Sequence, residues 1–344
     1  MPLSASERLA STRAQSRTET RAPLSGASLS AAAKGLIRHF RRQRPIRGGS
    51  LLITIFGDSI APRGGAVTLG SLIELARPFG LTERLVRTSV ARLASDGWLA
   101  ARRDGRRSEY RLTPTGRDRF AEATRRIYGE IPQSWNGQWT LLLLPPSAGH
   151  RRRDVRDELR WLGFGQVSPG LFAHPNWSIE QARAALLGLN GAEQSSLLKS
   201  TSEGSEVDRK LVAAGWDLGE LTRRYRKFVD TFTPVLGPAT SAGAISTDPL
   251  PTEAAFVVRT LLIHEYRKIH LQDPLLPPAL LPADWVGAAA YELTKGLYSA
   301  VFRSAELYLS NTASTTTEPL PAADDSAYAR FGGLAPVATD SVHP

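Results

Sequence analysis

The stretch that most constrains this chain is residues 99–112, "LAARRDGRRSEYRL", in which two extended runs flank the turn "RDGR". Asp-Gly between such runs is a strong hairpin signal. Two helical patterns precede it. "TLGSLIELARPFG" places Leu69, Leu72, Ile73 and Leu75 or Ala76 at helical spacing, with Gly80 as its stop. Thr82 then caps a helix over residues 82–96. Upstream, "AAAKGLIRHFRRQ" is a short helical pattern, and "SLLITIFGDSI" suits a helix or a strand. Helix, helix, helix, hairpin is the order of a winged helix-turn-helix, closed here by a final helix, "TPTGRDRFAEATRRIYG".

Charge singles out the same region. The 344 residues carry 43 Lys+Arg and 33 Asp+Glu, net +10. Residues 1–130 hold 24 and 11 of these, net +13, which leaves 19 and 22, net −3, for the remainder. One end of the molecule seeks anions, as in a nucleic-acid-binding domain joined to a unit with another task. The hydrophobic content of 42% suits a globular chain of two or three domains. Apolar runs are as short as "LLLL" at 141–144, too short for an ordinary membrane span, and the Arg-rich start has no apolar signal region. A transit peptide or a basic tail fits that start equally. Zero cysteines exclude disulfides and thiolate chemistry and make the cytoplasm the default compartment.

Composition divides the chain into a disordered basic tail (1–30), a DNA-binding segment (31–130), an α+β segment (131–210), a helical segment (211–310) and a second disordered tail (311–344). In the α+β segment, "QWTLLLLPP", "GHRRRDVRDELRWLGFG", "QVSPGLFAHPN" and "SIEQARAALLGL" read strand, helix, strand, helix. That order suggests a small ferredoxin-like domain that still needs a later strand. The helical segment has apolar residues three and four apart in "GWDLGELTRRYRKFVDTF", "TEAAFVVRTLLIHEYRKIHL" and "VGAAAYELTKGLYSAVFRSAELYL".

On a helix over 82–96, Val86, Ser89, Val90 and Leu93 fall on one side and Arg84, Arg87, Thr88, Ala91 and Ser95 on the other. The apolar side docks. The opposite side offers arginines suited to guanine edges and a threonine for a base or phosphate, with Arg92 on the flank better placed for a phosphate. The hairpin adds Arg102, Arg103, Arg106 and Arg107 around its tip, able to track phosphates or enter a narrow minor groove, and Arg63 in "APRGG" is a further candidate backbone contact. With Thr82, these form the candidate DNA-binding set. Six phosphate contacts among them would give a salt slope on the order of −5. A solvated charged face is the competing reading, weakened because the arginines occupy both elements that a winged helix presents to DNA.

The run "FGDSIAPRGGAVTLGSLIELARPFGLTERLVRTSVARLASDGWLAARRDGRRSEYRLT", with "WTLLLLP", "LRWLGFGQVSPGLFAHP" and "LLIHEYRKIHLQDPLLPPALLPADWVGAAAYELTKGLY", resembles the PaaX family of bacterial transcriptional repressors over about residues 36–308. The resemblance implies an α+β multidomain fold: an N-terminal winged helix-turn-helix, a central Cas2-like ferredoxin-fold domain and a C-terminal helical domain. It also implies a cytoplasmic, nucleoid-associated homodimer on double-stranded operator DNA, repressing a phenylacetate-type operon. The implied effector is phenylacetyl-coenzyme A or a related aryl-coenzyme A thioester, with no cofactor, metal or membrane partner. Such an effector needs cations for its phosphates and a pocket for its aryl group. Candidates are Arg160 and Trp161 in "RWLGFGQVSPG" and His264, Tyr266, Arg267, Lys268 and His270 in "HEYRKIH". The alternative is structural: Trp161 in the core, His264 a satisfied buried histidine, and Arg267 paired with Glu265 or Asp273.

Two other functions fit the residues less well. Cas2-like nucleases carry an aspartate at the end of the first strand, where this chain has Pro145 and Pro146, so a metal-dependent nuclease is disfavoured. His264 and His270 are six apart, which does not bring both to one helix face as zinc ligands. No phosphate-binding glycine loop or nucleophile elbow occurs, so an enzyme is not expected. A non-specific architectural or RNA-binding protein remains the other alternative.

Overall fold

A computed structural model describes residues 26–43, 48–105, 107–131, 134–145, 152–187, 189, 192, 194–236 and 250–334. Of the disordered tail expected over residues 1–30, residues 1–25 lie outside them and 26–30 are helical. Helix α1 (Gly26–Arg42) buries Leu29, Ala33, Leu36 and Phe40, one side of a 3.6-residue period. The ambiguous "SLLITIFGDSI" is helical. It forms α2 (Gly48–Ile55), which continues through a wide turn (Phe56–Ile60) and a tight one (Ala61–Arg63), with Leu51, Leu52, Ile55, Phe56 and Ile60 all buried.

Strand β1 (Ala66–Thr68), helices α3 (Leu69–Ala76) and α4 (Glu83–Ser95), and strands β2 (Leu99–Asp104) and β3 (Arg107–Leu112) follow. The strands form an antiparallel sheet in the order β1-β3-β2. The β2–β3 register runs from Leu99 opposite Leu112 to Asp104 opposite Arg107, closed by Gly105 at φ +55°, a conformation that favours glycine. Helix α5 (Pro114–Tyr128) starts at a Thr113 cap with proline in its first turn.

The second sheet has the order β5-β6-β4-β7, all pairs antiparallel, from β4 (Gln138–Leu143), β5 (Gly165–Ser168), β6 (Leu171–His174) and β7 (Ser196–Thr201). Read as one strand in sequence, "QVSPGLFAHPN" is a hairpin that turns at Gly170, φ +82°. The later strand required by the pattern is β7, in the polar, Ser-rich run "SSLLKSTSEG". Helices α6 (Arg152–Trp161) and α7 (Ile179–Leu186) cover one face, packing Val155, Leu159, Ala182 and Leu186 on Leu142 and Phe172. Helix α8 (Ser205–Gly215) lies against the other face, where Trp139 donates to Asp208 Oδ1 at 2.8 Å.

Three long helices complete the fold: α9 (Leu218–Leu236), α10 (Thr252–His270) and α11 (Gly287–Thr312). Residues 255–264 of α10 are buried without a break, because α1, α2, α9 and α11 surround it. Their side chains join those of the first sheet in one continuous core.

The expected tail from 311 packs instead as far as Leu334. Thr68 N–H donates to Ser314 C=O at 3.0 Å, Ser314 N–H to Ser71 Oγ at 2.9 Å, Thr316 N–H to Glu109 Oε2 at 3.0 Å, and Asp324 N–H to Pro62 C=O at 2.8 Å. A short helix α12 (Asp325–Tyr328) then delivers Arg330 and Phe331, both buried. Arg330 donates to the carbonyl and carboxylate of Asp58 at 2.9 and 3.1 Å, while Arg259 Nε donates to Asp58 Oδ2 at 2.7 Å. Tyr128 and Tyr298 complete the shell. Burial works to raise the Asp58 carboxyl, and the two guanidiniums overcome it, holding the group below its ordinary range.

Candidate nucleic-acid interface

Helix α4 begins where the Thr82 side chain accepts the Leu85 N–H at 3.3 Å. Val86, Ser89, Val90 and Leu93 are buried against the preceding helices, so the outward side is fixed. Burying Val86, Val90 and Leu93 stabilises that orientation by roughly 1.5–3 kcal/mol each. Arg84, Arg87, Thr88, Ala91, Arg92 and Ser95 are exposed on the other side. Two of these already have local partners. Arg87 pairs with Glu83 at 2.6 Å, one turn earlier, and Thr88 Oγ1 donates to Arg84 C=O at 2.9 Å. Arg92 lies 3.9 Å from Asp96 and is 84% exposed, leaving it available to an anion.

In the hairpin, Arg102, Arg103 and Arg107 are exposed, and Arg106 lies outside the described residues. Alternation along paired strands puts Arg102, Arg107 and Arg111 on one face and Arg103 on the other. The base is anchored: Trp98 packs edge-on against Phe120 of α5, and Glu109, only 2% exposed, accepts from Thr316 and Arg111.

Arg63 does not belong to this surface. It is 2% exposed, and its guanidinium donates to the Glu306 carboxylate and the Pro321 carbonyl. It therefore joins the Asp58, Arg259 and Arg330 cluster through Glu306, which also pairs with Arg259. Its partners lie more than 240 positions away, so its immediate sequence gave no sign of burial.

Comparison with known proteins covers most of the chain. Residues 47–116 match the family described as PaaX-like protein, residues 132–212 the PaaX protein central Cas2-like domain, and residues 216–311 the PaaX-like protein C-terminal domain. The chain is 36% identical over 301 residues to the transcriptional repressor PaaX of Escherichia coli (strain K12), covering 87% of this chain and 94% of that one. The chain belongs to the PaaX family. A solved structure, the uncharacterized protein Rv0674 from Mycobacterium tuberculosis, aligns at a TM-score of 0.45 and 20% identity, over 82% of this chain and 97% of that one.

In this PaaX-family chain the proposed effector residues separate into two groups. Arg160 and Trp161 are exposed at the end of α6 and line a cavity of about 410 Å³. Lys268 is partly exposed, bonded to Glu265 at 2.9 Å, beside a smaller depression. Of the other four, His264, Tyr266 and His270 are buried and Arg267 is half-buried. His264 is 1% exposed and shares a 3.0 Å hydrogen bond with Thr54 Oγ1. Arg267 donates to Thr54 Oγ1 at 2.8 Å and to the Ser50 carbonyl at 2.7 Å, not to Glu265 or Asp273, and so locks α10 to α2. Tyr266 and His270 are buried and bonded to each other at 3.0 Å, with Tyr225 also on His270. Their spacing puts these four near Lys268, but each turns polar atoms onto partners within the protein, Arg267 alone of the four being only partly buried. Among the described residues, no three His, Asp or Glu side chains converge as metal ligands, and no helix is long and apolar enough to cross a membrane.

Proposed function

We propose that this PaaX-family chain is a DNA-binding transcriptional repressor of a phenylacetate-type catabolic operon, acting on cytoplasmic operator DNA as a homodimer and released by an aryl-coenzyme A thioester. The observation that carries the DNA reading is α4: Arg84, Arg87 and Arg92 stand outward from a helix whose other side is packed away, beside an arginine-rich hairpin. The order α3, α4, β2, β3 supports a winged helix-turn-helix with α4 in the major groove and the hairpin as wing. The strand order β5-β6-β4-β7, with α6 and α7 on one face, supports a ferredoxin-like central domain. Its first strand ends in Leu143, Leu144 and Pro145, without an acid. The chain is a regulator, not an enzyme, in keeping with its curated relative.

DNA recognition divides between elements. Thr82, Arg84, Arg87 and Thr88, at the start of α4, address base edges and adjoining phosphates, whereas Arg92 and the wing arginines Arg102, Arg103 and Arg107 hold the backbone. Two-fold pairing of such units would match a palindromic operator, with half-sites one or more helical turns apart. The experiment is quantitative footprinting on the promoter beside its own gene, repeated with phenylacetyl-coenzyme A, coenzyme A and phenylacetate. Protection of a palindrome, lifted by the thioester alone, is the expected result. Equal affinity for every duplex would instead indicate a non-specific binder.

A further inference from the structure

The ends of α6 and α10 meet beside the start of α9. The cavity of about 410 Å³ between them has Trp161, Phe164, Trp216 and Leu221 among its walls. Its two arginines, Arg160 and Arg224, are matched by Asp157, Asp217 and Glu220, so it has no excess of cations and offers chiefly ring and aliphatic surface. Arg224 is also a wall of a second depression of about 190 Å³, where His39, Lys227 and Lys268 face a single acid, Glu265. The shared arginine is held in place, donating to Gln272 Oε1 and Lys268 C=O, both at 2.5 Å. An apolar compartment therefore adjoins a cationic one across a fixed guanidinium.

The first compartment is tied to the basic helix. Arg126, near the end of α5, lies over the Trp161 ring at 4.9 Å and donates to Trp161 C=O at 2.6 Å. Its other terminal nitrogen donates to Leu271 C=O at 3.1 Å and Asp273 C=O at 3.3 Å. One guanidinium thus satisfies the terminal carbonyls of α6 and of the turn after α10, where backbone acceptors lack helical partners. Trp161 and Leu271 are both cavity walls. At the opposite end of α5, Thr113 Oγ1 donates to Gly97 C=O at 2.7 Å, just past α4. Helix α5, roughly 20 Å long at 1.5 Å per residue, is therefore a strut between the cavity and the basic helix.

We propose that the two compartments together bind a ligand with an aryl or branched apolar acyl end and a polyphosphate end, and that Arg126 is the positioning residue through which occupancy shifts α5 and α4. This rests on the repressor reading above and gives its effector a location and a route. The acyl end lies among Trp161, Trp216 and Leu221, and the phosphates lie by Lys227 and Lys268. A ligand that displaces Trp161 or Leu271 breaks the Arg126 bonds, which couples its binding to the angle of the strut.

The test follows release of fluorescent operator DNA from the full chain as phenylacetyl-coenzyme A, coenzyme A or phenylacetate is added, with direct thioester binding read from tryptophan fluorescence. Lys227→Glu changes an exposed side chain and Trp216→Leu a cavity wall; each is expected to raise the thioester concentration for release by about 10-fold or more. Arg126→Ala is expected to bind the thioester nearly as well as the parent chain while needing about 5- to 100-fold more for release, the range of typical coupling energies. If the parent chain responds and both cavity variants respond identically to it, the location is wrong while the repressor reading stands. If Arg126→Ala loses binding and release in parallel, the relay is wrong. If no thioester releases DNA from the parent chain, the effector reading itself fails, and this inference with it.

Discussion

In the free chain the Arg87 guanidinium is turned back onto Glu83, with two of its nitrogens on Oε1 at 2.9 and 2.6 Å. Both side chains are more than half exposed, so the pair is worth at most a few tenths of a kcal/mol, and DNA can exchange it. Arg87→Ala is expected to weaken operator binding by about 1–3 kcal/mol and to relax specificity at one base position. Fluorescence anisotropy on operator variants checks this, and unchanged affinity and specificity would remove Arg87 from the interface. Glu83→Ala acts oppositely: it removes an acid from the face that meets phosphate and frees Arg87, so affinity for any duplex should rise several-fold at low salt and little at high salt. The buried histidines set a pH limit. Burial holds His174 down to about 3, His270 to about 4 and His264 well below its ordinary value of 6.5, so all are neutral when folded. Unfolding lets them take up protons below pH 6.5. Their contribution is complete above that pH and declines as pH falls toward the folded values, by up to about 1.4 kcal/mol per unit for each. Melting temperature is expected to drop between pH 6.5 and 5, and a flat profile would contradict the neutral assignment.

The elements legible in sequence were those whose two sides differ locally. Helix α4 and the β2–β3 hairpin announce themselves because Val86, Val90 and Leu93 recur at helical spacing and Asp104-Gly105 marks a turn. Strand β7 was hidden because its ends and Leu198 are exposed, so "SLLKST" has no buried alternation to detect. The 313–334 segment was hidden for another reason. Its apolar residues are sparse, and it is held by backbone hydrogen bonds and by Arg330, whose partner Asp58 lies 272 positions earlier. Arg63 is the same case, its polarity suggesting exposure where only long-range partners account for its burial, whereas the structural alternative holds for His264 and, through Thr54 and Ser50 in place of an acid, for Arg267. That cluster yields a prediction for the segment as a whole. Arg330→Ala leaves Asp58 short of a buried partner and should lower unfolding free energy by about 3–5 kcal/mol in urea titration. Arg330→Lys should restore only part, since an ammonium can stand in for Nη1, which alone reaches Asp58 and Tyr298, but not for Nη2 on the Gly57 carbonyl or for the planar group over the Tyr128 ring.

Across the whole molecule, charge and coupling have different addresses. The +13 of residues 1–130 predicts an affinity that falls steeply with salt, with a log–log slope on the order of −5 if about six phosphates are neutralised. Titrations between low and high salt measure it, and a slope near zero would refute backbone contact by α4 and the wing together. The cavity beside α9 is lined by residues between 157 and 274, outside the basic segment, so a ligand there would reach α4 through packed elements, α5 among them, and not through a shared charge field. The C-terminal return onto β1, β3 and Asp58 also bears on how the chain is made. Asp58 leaves the ribosome 201 positions before Arg259 and 272 before Arg330, so the segment that carries α4 is synthesised before the partners that complete its packing. Rigid presentation of α4 thus depends on partners made long after it, and a fragment that ends before Arg259 has neither guanidinium for the Asp58 carboxylate.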